Sequence, residues 1–112
     1  MLVGVVKEIK EEEYRVGLVP AGVYAMAQEG CEVIVQRGAG EGSGIPDDEY
    51  TLAGAQIAEQ AEDVYGQADM IVKVKEPLAV EYDMLRPGQI LYAYLHHAHR
   101  QVMPVPRHWS RP

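Results

Sequence analysis

Apolar residues fall along this chain in compact runs separated by segments of helical rhythm. "LVGVV" (residues 2–6), "CEVIVQ" (31–36), "DMIVKVK" (69–75) and "QILYAYL" (89–95) are short, apolar and rich in β-branched or aromatic side chains. Such runs predict strands covered on both faces. "AQIAE" (55–59) predicts a shorter strand of the same kind. Between them, "PAGVYAMAQEG" sets Val23, Met26 and Ala27 on one stripe, with Pro20 at the first helical position and Gly30 beyond the last. Pro46, Asp47 and Asp48 open a helix over "DDEYTLAGA", because acids favour an N-terminal turn. "EQAEDVYGQA" places Ala61, Val64 and Tyr65 on one side, and "EPLAVEYDMLRPG" fits a short helix closed by Pro87 and Gly88. Strand and helix alternate five strands deep. The expected fold is α/β: a mostly parallel Rossmann-like sheet flanked by helices.

The run "RGAGEGSGIPDD" after the second strand asks whether that sheet carries a dinucleotide loop. The fingerprint needs glycines at G-x-G-x-x-G. Here Gly38, Gly40, Gly42 and Gly44 stand at every second position, and Ser43 takes the third required place. Glu41 sits inside the loop, acids crowd the following helix start, and Pro46 removes a donor. The acids about 20 residues on, Glu59 and Glu62, are read with the helical pattern that follows and not as a ribose ligand. The loop is expected to be a turn or an interface, so no cofactor-binding residue is assigned.

Composition narrows the class further. With 112 residues the chain holds one core. A net charge of −7 argues against a nucleic-acid partner, and no apolar run reaches membrane-spanning length. The N-terminus "MLVGVVKE" lacks the basic region of a signal peptide and reads as a strand. Cys31 alone cannot form an internal disulfide, consistent with a core position in a reducing cytoplasm. The charge is uneven: every acid lies at or before Asp83, whereas "HAHRQVMPVPRHWSRP" has three arginines, three prolines and no apolar periodicity. Residues 1–96 are expected to form the domain and 97–112 a divergent, irregular tail.

Ligands of a parallel sheet collect beyond the C-terminal strand ends. There the sequence puts Lys7, Glu8 and Arg15 after the first strand, Lys75 after "DMIVKVK", and His96 and His97 after "QILYAYL". An arginine fork grips a carboxylate, a lysine holds a second oxygen or polarises a ketone, and a histidine exchanges protons near neutrality. Together they suit a small α-keto or α-amino acid. Each has a plainer reading. Arg15 follows three glutamates and can be a solvated ion-pair partner, Lys75 can snorkel as Lys73 is expected to, and His96 can be structural. "HHAH" lacks further ligands, so no metal site is assigned.

"GVVKEIKEEEYRVGLVPAGV", "GAGEGSGI", "ADMIVKVKEPL" and "LYAYLH", in this order and at these spacings, resemble the N-terminal part of bacterial NAD-dependent L-alanine dehydrogenases over residues 1 to about 96. Transhydrogenase α chains are similar over the first of these stretches. The resemblance implies a substrate domain with a Rossmann-type fold and no cofactor loop. It implies that Arg15 and Lys75 bind pyruvate or L-alanine, and that His96 transfers protons as ammonia adds and hydride arrives from NADH. NAD is then the cofactor of the parent enzyme, held on a later domain, with none expected on this chain. Partners follow suit: a small-molecule substrate and other copies of the chain in an oligomer. Val6 and Val19 stand where the family usually has proline and threonine or serine. Beyond His96 the family continues into helices and the NAD domain, whereas this sequence changes character, so the expectation is a truncated dehydrogenase fragment, inactive alone, with an unrelated or out-of-frame tail. The alternatives are a non-catalytic binding module for small acids, and a functionless fragment that oligomerises.

Overall fold

The computed structural model describes residues 1–95 and 99–106. Strand β1 (Leu2–Val5) is followed by helix α1 (Pro20–Gln28), β2 (Glu32–Gln36), α2 (Asp47–Leu52), β3 (Gln56–Ala58), α3 (Ala61–Gln67), β4 (Met70–Lys73), α4 (Ala79–Tyr82) and β5 (Ile90–Leu95), and then by β6 (His99–Pro104). A single 3-10 turn, Glu41–Ser43, interrupts the glycine run. The six strands lie in the order β3-β2-β1-β4-β5-β6. The first five are parallel, and β6 runs antiparallel to β5. The expected α/β sheet is therefore present.

Alternation along the strands divides the core in two. Val3, Val5, Val33, Val35 and Val72 pack on one face with Val23 of α1 and Tyr50 of α2. Ile34, Ile71, Leu91 and Ala93 pack on the other with Val64, Tyr65 and Ala68. Gly4 sits at the centre, paired with Ile34 and Ile71. A Cβ there would come within 2.6 Å of Val64 Cγ1, so glycine lets α3 lie close on the sheet. Arg86 and Gln89 tie down the end of that helix by donating to the Tyr65 and Ala68 carbonyls.

Two expectations are corrected. Residues 97–112 were expected to be irregular, yet 99–104 form β6, and Val105 is buried in the core while its N–H donates to Gln89 O. Arginines and prolines hid this strand because they are tolerated at a sheet edge, which is where β6 lies. The segment 76–88 holds only the four-residue α4, ending at Tyr82 well before Pro87. Among the described residues no helix is long and apolar enough to cross a membrane.

Candidate functional site

From β1 the chain builds outward through β2 to β3, then returns through α3 to β4 on the opposite side of β1. Loops leaving β1 and β4 therefore diverge at their C-terminal ends. This is the topological switch point, the position where open α/β sheets hold ligands. Arg15 lies on the long loop after β1, and Lys75 lies two residues beyond β4.

The loop from Val6 to Val19 is fastened at several points. Lys7 N–H donates to Gln36 Oε1 at 2.8 Å, Ser43 Oγ donates to Tyr14 O at 2.9 Å, and Tyr50 Oη donates to Leu18 O at 2.7 Å. Burial pushes the Tyr50 phenol up to about 12, with Asp47 and Glu49 adding to the shift, so it remains a donor at neutral pH. Main chain meets main chain at Gly42, where a Cβ would stand 2.7 Å from Tyr14 O. This explains the glycine run. The N–H groups of residues 38, 39, 41, 43, 44 and 45 all donate locally, that of Gly38 to Asp47 Oδ1 and the others to carbonyls at 36, 38, 40 and 41. The loop seats the Arg15 segment, and these six donors are used in its own fold.

Arg15 and Lys75 come together on one carboxylate. Glu13 Oε2 accepts Arg15 Nε at 3.0 Å and the Arg15 main-chain N–H at 2.9 Å. Glu13 Oε1 accepts Arg15 Nη2 at 2.9 Å and lies 3.8 Å from Lys75 Nζ. The Glu13 side chain is 4% exposed while that of Arg15 is 68% exposed. The hydrogen bond from Arg15 holds the Glu13 carboxyl below its usual range, against the opposing effect of burial. Lys10, Glu11, Glu12, Tyr14, Arg15 and Lys75 surround Glu13 in an open hollow of about 390 Å3. Lys10 is engaged with Glu76 at 2.7 Å. A guanidinium and an ammonium sharing one wall can grip a small carboxylic acid.

Behind this wall lies a second polar cluster. Lys73, expected to snorkel, is instead 1% exposed, with Nζ 3.0 Å from both Glu8 Oε1 and Glu81 Oε2. Glu8 also accepts the main-chain N–H groups of Val74 and Lys75, and so fixes the backbone that carries the Lys75 side chain. Glu81 accepts Tyr65 Oη and the Leu78 N–H. The loop after β1 and helix α4 close over this strand end and leave the lysine no path to water, which is why the snorkelling expectation failed. The sequence signal was present but silent: Lys73 is flanked by valines on a buried strand. Glu13 was missed because it stands in a run of three glutamates. His96, the residue after β5, lies outside the described residues.

A mostly parallel sheet with two cations at its switch point defines an α/β domain with a candidate site for a small anion. Residues 4–106 match the family described as Alanine dehydrogenase/PNT, N-terminal domain, and the chain belongs to that family. It is 51% identical over 96 residues to the alanine dehydrogenase of Mycolicibacterium smegmatis and 55% identical over 96 residues to that of Bilophila wadsworthia, covering 86% of this chain in each case. A solved L-alanine dehydrogenase superposes with a TM-score of 0.82 at 46% identity, over 86% of this chain and 26% of that one. A transhydrogenase from Sinorhizobium meliloti superposes with a TM-score of 0.78 at 38% identity, over 84% of this chain and 28% of that one. The chain spans about a quarter of the length of the curated relatives, 26% and 25% for the first two.

Proposed function

We propose that this chain is the substrate-holding domain of an alanine dehydrogenase, binding pyruvate and L-alanine by their carboxylate through Arg15 and Lys75. The observation that carries this reading is the convergence of both cations on one oxygen of Glu13, at the wall of one hollow beside the switch point. A planar guanidinium orients the carboxylate, and the Lys75 ammonium adds a point charge to the carboxylate or to the neighbouring keto oxygen. His96, following β5, is assigned the proton transfer that accompanies amination of the keto carbon. In the parent reaction NAD carries the hydride. The glycine run of this chain does not suit that cofactor, since six of its N–H groups are donated locally and Tyr14 lies over Gly42. The chain's own part is to bind and orient the acid, as an oligomer in the cytoplasm.

Isothermal titration with pyruvate tests the reading. Saturable binding at millimolar concentration is expected from the unsubstituted chain, and its loss in Arg15→Ala, with the circular dichroism spectrum unchanged. Absence of heat from the unsubstituted chain, or undiminished binding by Arg15→Ala, removes the assignment.

A further inference from the structure

Resting on the reading of this hollow as a carboxylate receptor, we infer that Glu13 sets the receptor's charge specificity, so that it takes an acid bearing a single carboxylate. A guanidinium offers two bidentate edges, and Glu13 occupies the side edge through Nε and Nη2. Nη1 has no hydrogen-bond partner among the described residues, and the side chain is largely exposed, so the other edge faces outward for a ligand. Glu13 also balances one of the two positive charges that Arg15 and Lys75 bring. Within this trio one net positive charge remains, which a monoanion neutralises. A dicarboxylate carries a second negative charge into a wall that already holds Glu11 and Glu12. The other cation there, Lys10, is engaged by Glu76. Built-in repulsion of this kind discriminates between ligands without a new attractive contact.

The competing view gives Glu13 a bracing role only, fixing the loop that carries Arg15. Titration of the full 112-residue chain with pyruvate, 2-oxopentanoate and 2-oxoglutarate separates the two. The last two acids share a five-carbon chain and differ in the second carboxylate. The unsubstituted chain is expected to prefer 2-oxopentanoate by about tenfold or more, as one uncompensated charge at close range implies. Glu13→Gln removes the charge, and the preference should fall by about fivefold or more. Glu13→Asp keeps the charge and should keep the preference, even with both acids bound more weakly. A brace alone weakens both acids alike, so an unchanged ratio in Glu13→Gln overturns the inference while leaving pyruvate binding in place. If the unsubstituted chain takes up no pyruvate, the receptor reading fails first. The hold of Glu13 on Arg15 is then read by NMR from the exchange of Arg15 Nε–H with water, which should quicken about tenfold or more once the charge-assisted bond is lost. Unaltered exchange sinks that hold as well.

Discussion

Three glutamates in a row, at 11, 12 and 13, differ in nothing but the backbone that carries them. Glu12 adopts the left-handed region with φ 63°, and Glu13 N–H donates to Lys10 O at 3.1 Å, so the chain turns sharply between them. For a residue with a Cβ that conformation costs roughly 1–2 kcal/mol, which the contacts of the loop must offset. The turn delivers Glu13 beneath the Arg15 guanidinium and leaves Glu11 and Glu12 exposed. A pH dependence follows from the partner. Because Arg15 depresses the folded-state pKa of Glu13 below its ordinary 4.5, the pair's contribution to stability is complete above that value. It is lost as pH falls through the lowered value. Since Arg15 is largely exposed, the contribution is at or below about 1 kcal/mol. Urea unfolding at a series of pH values should show a constant stability difference between the unsubstituted chain and Glu13→Gln near neutrality, shrinking toward zero below about pH 4. A difference that grows on acidification contradicts the pairing.

Elements meet at the glycine run, where one loop serves as the seat of another. Gly42→Ala would set a methyl against Tyr14 O, and because the methyl is fixed to Cα and the oxygen belongs to the backbone, neither yields as a flexible side-chain tip would. The substitution should cost roughly 1–3 kcal/mol, as overpacking does, and should weaken pyruvate binding by displacing the Arg15 segment. Chemical denaturation and titration read the two effects, and full stability with full affinity would show that the loops do not couple. This contact also marks how far the sequence could be read. The strands and helices were legible because each carries its own period, and α1 and β2 match within a residue or so. The acids and misplaced glycine that argued against a phosphate cradle are local features as well. What the glycines serve is not local, since Tyr14 and Gly42 are 28 positions apart and nothing in either segment names the other. Strand β6 was illegible for a related reason. An edge strand needs only a neighbour's exposed backbone, and that demand leaves little apolar pattern behind.

Across the whole molecule, one buried cluster joins the pieces on which the proposed receptor stands. Lys73 on β4 reaches Glu8 from the loop after β1 and Glu81 from α4, while Tyr65 on α3 donates to Glu81 at 3.0 Å. Burial, with the Glu81 charge beside it, pushes the Tyr65 phenol well above its usual range, so it stays a donor. Among the described residues every buried side-chain polar atom has a partner, as a closed network requires. Removing the central cation leaves two buried carboxylates facing each other, a change that costs about 3–5 kcal/mol in comparable sites. A domain of this size is stable by roughly 5–15 kcal/mol, so Lys73→Met should lower the urea midpoint severely or abolish the cooperative transition. Adding Glu81→Gln to that variant removes one uncompensated charge. It retains an acceptor for the Leu78 N–H, and part of the loss should return. Glu8 can then keep its bonds to the Val74 and Lys75 N–H groups, so Lys75 remains in place while Lys73 is gone. Non-additive recovery in the double variant is the signature of a coupled network. Strictly additive losses would mean that Lys73 and Glu81 act separately and that the wall of the hollow is held by packing alone.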